Sequence, residues 1–430
     1  MIKISSQKQI DSNIANTINL IKKKFLLKYI ELFKRFPQIH NLKNREFAYL
    51  SWDKNFMVRH EGYIDNNQLF NRIKNIIPRH IYASAALYEE PNAKKMEDKR
   101  WIGCDFVMDI DADHFELECN NVHDYNFCSN CSYMAKGTPP PKCPNCGTSK
   151  WIKQNWLCDN CLNVAKKEVY KILQFLINDI GILEEEIFIK FSGNRGYHIE
   201  VISEKIKKLD SEARREITDY LTGTNLIIDF RVNNFNAPTK LQYGWKEKIV
   251  KKFYEILKEE NSIIFKNSKN PIIEPHLIQL LFREENRKYL LTQINNNNSN
   301  WNILGIGAVG WKKIFEVIIN EIKCNIDIPV SIDIHRLLRL KGSINGKTGF
   351  LSIPLDIKKE LDNFNPLLDS VIFNSNDNPK LNMKIKITSL EVPQIKINDI
   401  LYGPFKKDDI IEVPESIGVF FICKDVAIVI

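Results

Sequence analysis

The stretch Trp101-Ile-Gly-Cys-Asp-Phe-Val-Met-Asp-Ile-Asp-Ala-Asp-His-Phe115 reads as a buried β-strand that carries two carboxylates to one edge of a sheet. Side chains alternate along a strand, so residues two apart share a face. Phe106, Met108 and Ile110 then point into a core, while Val107, Asp109 and Asp111 point the other way. Two acids fixed on one face repel each other unless a cation lies between them. Sites that transfer phosphoryl groups with two metal ions hold them in this way. The same letters also fit a strand running into a solvated acidic turn, because Asp113 and Glu116 follow.

The 430 residues suffice for two or three domains with a large core. A net charge of +8 favours a polyanionic partner but fits many other enzymes. No apolar run reaches the length of a membrane span and no signal peptide is visible, so a cytoplasmic protein is expected. Of ten cysteines, seven lie between Cys119 and Cys161, while Cys104, Cys324 and Cys423 stand alone. Clustered Cys-x-x-Cys pairs in an intracellular chain point to zinc rather than disulfides.

Outward from the acidic strand, apolar spacing predicts a helix over 11–36, a hairpin over 46–62, a helix over 67–77 and a strand over 80–87. Beyond the cysteines, a helix is predicted over 164–179, then strands over 187–191 and 197–202. Residues 204–300 read as a charged, mainly helical insertion, with helices over 246–260 and 276–289. Then 326–330 should return to the sheet and 331–340 form a short helix. The apolar tail 413–430 has strand character.

The turn Ser192-Gly-Asn-Arg-Gly-Tyr-His198 has glycines that free backbone amides to face an anion, and Arg195 offers a fork suited to phosphate. His198 should face away from Tyr197, Ile199 and Val201. A plain hairpin turn fits equally. Arg336 and Arg339, three apart on the predicted helix, would share a face, and Lys341 and Lys347 would extend it. Asp327, just before Pro329, is a candidate third carboxylate. Asp333 competes, although Ser331 resembles an N-cap and would place Asp333 in a first helical turn.

Cys128-x-x-Cys131 and Cys143-x-x-Cys146 have the spacing of a zinc ribbon. Cys158-x-x-Cys161 needs two more ligands, for which Cys119 and His123 are the natural candidates. Exchange of ligands between the two sites remains open. The ribbon reads as a self-contained excursion.

Together these segments resemble the small, catalytic subunit of the archaeo-eukaryotic DNA primase, its archaeal branch in particular. The resemblance rests on Phe56-Met-Val-Arg-His60, Pro78-Arg-His80, Val107-Met-Asp-Ile-Asp-Ala-Asp113, Ser192–His198, His335-Arg-Leu-Leu-Arg-Leu and the closing Val413-Pro-Glu segment, and spans nearly the whole chain. It implies an α/β (α+β) fold with a palm-like catalytic domain made of 1–118, 162–203 and 301–430. The zinc insert would span 119–161 and the helical insertion 204–300. It implies that Asp109, Asp111 and Asp327 hold two Mg²⁺ or Mn²⁺ ions. Ser192, Arg195 and His198 would grip nucleotide phosphates, with Arg59, Arg339, Asn345 and Lys347 nearby. Cys119, His123, Cys158 and Cys161 would form the family's zinc knuckle.

The chain departs from the family in three places. Asn345 stands where a His usually precedes Gly-Lys-Thr-Gly, Lys341 replaces a usual Pro, and the ribbon is inserted in the knuckle. The implied activity is primer synthesis on single-stranded DNA from NTPs or dNTPs, beside a large subunit. A non-priming repair polymerase, or a non-catalytic zinc-ribbon protein that binds nucleic acid, would share some of these residues.

Overall fold

Strand β1 (Phe47–Leu50) opens a four-stranded sheet with β2 (Met57–Glu61) and β3 (His80–Ser84) in a computed structural model that describes residues 2–52, 56–115, 117–226, 237–268, 271–373 and 382–430. The hairpin tip 53–55, Glu116 of the acidic turn, and 227–236 and 269–270 of the charged region lie outside the described residues. Strands β4 (Ala86–Tyr88) and β5 (Trp101–Cys104) pair with each other and lead into β6 (Phe106–Asp111). The cysteine-rich insert forms a three-stranded sheet of β7 (Tyr125–Cys128), β8 (Met134–Lys136) and β9 (Trp151–Gln154). Then follow β10 (Ile187–Phe191), β11 (Gly196–Val201), β12 (Leu337–Arg339) and β13 (Pro354–Leu355).

Two sheets frame the site: β12-β3-β1-β2 and β13-β10-β11-β6, both antiparallel. In the second, Asp111 pairs with Gly196 and Asp109 with His198. A Cβ on Gly196 would lie 1.8 Å from the Ile110 carbonyl oxygen, so glycine alone lets β11 approach the acidic strand this closely. Phe106, Met108 and Ile110 are buried, as the alternation requires. Val107 is buried as well. It packs with Ala85, Ala86, Tyr88, Cys104, Val330 and Leu338, so the acids' own face has an apolar floor.

Contacts divide the chain into two units. The first comprises 1–169, 183–215 and 326–430 and contains both framing sheets and the cysteine insert. The second comprises 170–182 and 216–325. It is helical, with Trp245–Lys258, Pro275–Phe282, Glu284–Asn295 and Ala308–Ile322 as its longer helices, and Phe253, Trp301, Trp311 and Phe315 interlock at its centre.

The structure corrects four local expectations. The helix read over 276–289 is two helices broken at Arg283, whose backbone is extended, and Glu284 and Glu285 then favour a new N-terminus. Residues 326–330 do not join the sheet. Pro329 starts a short helix, Ile328–Ile332, with Asp327 at its N-cap. The helix expected over 331–340 is instead β12, because Leu337–Arg339 pairs with Tyr82–Ser84, and tertiary pairing overrides local preference. Arg336 and Arg339 therefore share no helix face. The apolar tail is a strand, Ile410–Pro414, a helix, Glu415–Cys423, and a strand, Ala427–Val429. The helix is apolar all round because it is buried throughout.

Candidate active site and metal clusters

Asp109 and Asp111 lie half-exposed at the end of β6. Opposite Asp109, His198 Nε2 stands 3.4 Å from its Oδ1. Burial, and then the Lys190 charge, hold the His198 pKa well below its ordinary value, so the ring is neutral at physiological pH. Asp327 reaches this edge through its backbone: its N–H donates to the Asp109 carbonyl at 3.0 Å. Its carboxylate makes no capping hydrogen bond to the helix that it precedes. Asp333 is used locally, its Oδ1 accepting from the His335 N–H at 2.8 Å. Asp109 and Asp111 thus share the end of β6 with the Asp327 backbone beside them, and hard divalent cations prefer carboxylate oxygen ligands.

The turn joining β10 and β11 is clamped from outside. Asn345 Nδ2 donates to the Ser192 carbonyl at 3.0 Å, and its Oδ1 accepts from the Lys347 N–H at 2.9 Å. Thr348 Oγ1 donates to the Gly193 carbonyl. Gly193 has φ +77°, and a Cβ there would meet that of Asn345 at 2.9 Å. Asn345 is therefore committed to docking two loops, while the Lys347 side chain is exposed.

Arg195 is almost wholly buried. Its Nη1 donates to the Trp156 carbonyl at 2.7 Å, and its fork faces Asp113, Asp124 at 3.6 Å and Asp111 at 3.9 Å. Burial pulls its pKa down to about 10, with the Asp111 charge opposing. Arg59 spends its fork on buried Glu46, at 2.9 Å and 3.3 Å. Burial raises the Glu46 pKa, but Arg59 and then Lys99 outweigh it and hold the carboxyl below its usual range. Arg339 lies 3.0 Å from His80 Nδ1 and over the Tyr82 ring. His80, pushed down to about 2 by burial and then Arg339, accepts from the Gly346 N–H.

Two clusters are compatible with zinc: Cys119, His123, Cys158 and Cys161, and Cys128, Cys131, Cys143 and Cys146. Sulfur–sulfur separations are 3.4 Å and 3.6 Å in each. A tetrahedron with zinc–sulfur bonds of ~2.3 Å separates sulfurs by about 3.8 Å, whereas a disulfide needs ~2.05 Å. All ten cysteines are free of disulfides. His123 turns Nε2 toward Cys161 Sγ at 3.1 Å and Nδ1 toward Asp124 at 2.8 Å. This is the outer carboxylate that orients zinc-binding histidines. The same Asp124 faces Arg195, so it links the inner cluster to the β10–β11 turn.

The ribbon is not a self-contained excursion. Tyr125 Oη donates to Glu391 at 3.0 Å, and Gln154 donates to the Glu391 carbonyl, so its sheet docks on the C-terminal region. Glu46, Lys99, Asp124 and Lys424 all escaped sequence reasoning. Only Asp124 carried a signal, as a carboxylate directly after a candidate ligand histidine.

The sequence profile of the DNA primase small subunit matches residues 146–357. The chain is 30% identical over 336 residues to the DNA primase small subunit PriS of Picrophilus torridus, covering 77% of this chain and 78% of that protein. It is 28% identical to the PriS of Methanosarcina mazei over 90% of this chain and 91% of that one. With the PriS of Nitrosopumilus maritimus it shares 27% over 95% and 98%. The chain belongs to the DNA primase small subunit family. Among the described residues, no helix is long and apolar enough to cross a membrane.

Proposed function

We propose that the chain synthesises short primers on single-stranded DNA by nucleotidyl transfer from NTPs or dNTPs during replication, in the cytoplasm and beside a primase large subunit. This reading is supported by Asp109 and Asp111 at one strand end, opposite His198 and beside the clamped β10–β11 turn, with the Asp327 backbone bonded to Asp109. The three acids would hold two Mg²⁺ or Mn²⁺ ions. When bound, these lower the pKa of the attacking 3′-hydroxyl and neutralise the triphosphate. His198, neutral and buried, would donate to a phosphate oxygen without adding a charge. Ser192, the backbone amides of its turn, and Lys347 would position the phosphates, with Arg195 beneath them. Arg59 and Arg339 would act from further out, through Glu46 and His80. Unit one would be the catalytic domain, and both zinc clusters structural, since four protein ligands leave no open position.

Labelled nucleotide incorporation on single-stranded DNA, with matching pyrophosphate release, tests this reading. EDTA should abolish incorporation and excess Mg²⁺ or Mn²⁺ restore it. Incorporation that survives chelation contradicts it. His198→Ala and Lys347→Ala should weaken nucleotide binding more than template binding. Each removes a contact to a charged group worth ~1.5–3 kcal/mol, roughly ten- to a hundredfold in affinity. Unchanged nucleotide dissociation constants would make the turn a plain structural hairpin. Arg195→Ala should cost more, because it also removes the buried guanidinium that pairs with Asp113 and Asp124 and donates to the Trp156 carbonyl.

A further inference from the structure

Beside the phosphate turn lies a cavity of ≈ 480 Å³. Its lining brings together Arg79, Lys153, Arg195, Lys347 and Lys424, from five separate segments of the chain, against two acids, Asp113 and Asp425. Both acids are already engaged: Asp425 pairs with Arg79 at 2.8 Å and Asp113 with Arg195. Lys153, Lys347 and Lys424 have no ion-pair partner among the described residues. Lys424 Nζ donates to the Asn155 carbonyl at 3.2 Å and stands over the Trp156 and Phe420 rings. Burial, and then the Arg195 and Lys347 charges, press its pKa down to about 7. Like charges crowded in a concave pocket make a field that an anion relieves.

The ribbon builds one wall of this cavity. Phe127 of β7 and Ile152, Lys153 and Gln154 of β9 line it, and Asn155 Nδ2 donates to Asp113 at 2.8 Å, tying the wall to the acidic turn. Ile152 is 59% exposed, which is unusual for isoleucine and fits a side chain that faces an open pocket.

We propose that the inserted zinc ribbon is the outer wall of a polyphosphate pocket, in which Lys153 and Lys424 hold the distal phosphates of the incoming nucleotide and the departing pyrophosphate. The proposal rests on the reading that the Ser192–Gly196 turn faces nucleotide phosphates. It assigns the ribbon a nucleotide-binding part rather than a template-binding one.

The test is calorimetric binding of inorganic tripolyphosphate and of pyrophosphate to the zinc-loaded full chain. Lys153→Ala and Lys424→Gln should each weaken both by roughly tenfold and the double variant further, with two zinc ions retained. Single-stranded DNA affinity should be unchanged in all three. Lys150→Ala, a ribbon lysine outside the cavity lining, should bind like the parent. Unchanged tripolyphosphate affinity in the double variant overturns the proposal, as does a Lys153→Ala defect confined to DNA. If His198→Ala weakens tripolyphosphate binding while the lysine variants do not, the phosphate turn stands and only the ribbon's part falls. Absence of nucleotide incorporation by the parent chain would instead defeat the functional reading.

Discussion

Asp109→Ala and Asp111→Ala are each expected to abolish nucleotide incorporation while leaving the protein folded. Each carboxylate is half-exposed at the end of β6, so its loss opens no cavity in the core. The surrounding sheet is held by Phe106, Met108 and Ile110 on the other face. The two remaining acids would offer too few carboxylate oxygens to hold two divalent ions. Losing the several kcal/mol that one bound ion would supply to the transition state would slow the reaction about a thousandfold at ~4 kcal/mol. Asp327→Ala should behave in the same way. Asp333→Ala should retain incorporation, because its carboxylate is spent on the His335 amide. Steady-state incorporation by purified variants, with circular dichroism to confirm folding, checks this. Substantial activity in Asp109→Ala or Asp111→Ala removes the catalytic assignment, and activity lost only with Asp333→Ala exchanges the third ligand.

Metal analysis should find two zinc ions per chain, and the two sites should fail differently. Apparent zinc affinities of closed sites reach ~10–16 kcal/mol in isolated zinc-finger peptides, comparable with the ~5–15 kcal/mol net stability of a whole domain. Cys161→Ser should remove the inner ion, lower the melting temperature and damage nucleotide binding. Its cluster joins the residues after β6 to the helix Asp159–Phe175, and through Asp124 it faces Arg195. Cys128→Ser should remove only the ribbon ion and leave the inner site filled. One zinc in the parent chain, or loss of both ions on mutating Cys128 alone, would show that the ligands are shared differently.

What the sequence made legible follows from short-range physics. The acidic strand declared itself because apolar and acidic letters alternate with period two, and the thiol clusters because ligand spacing is local. The turn between β10 and β11 was legible from its glycines. Leu337–Arg339 reads as helix in isolation, because those letters become a strand only when Tyr82–Ser84 is there to pair with them. The Ile328–Ile332 helix has no distinctive local signal, because Pro329 also fits a strand end. Arg195 illustrates the limit at the site. Its residue type suited phosphate, but no local signal announced that Asp113, Asp124 and the Trp156 carbonyl surround its guanidinium. Lys424 is similar, since its neighbours Arg195 and Lys347 come from distant segments.

The most direct test of the central claim is synthesis from labelled nucleotides on an unprimed single-stranded DNA template, with Mg²⁺ or Mn²⁺, by the chain alone and with a primase large subunit. Short products that begin without any annealed oligonucleotide, and that vanish with Asp109→Ala, are the expected result. Extension confined to pre-annealed primers, or products that persist in Asp109→Ala, would contradict it.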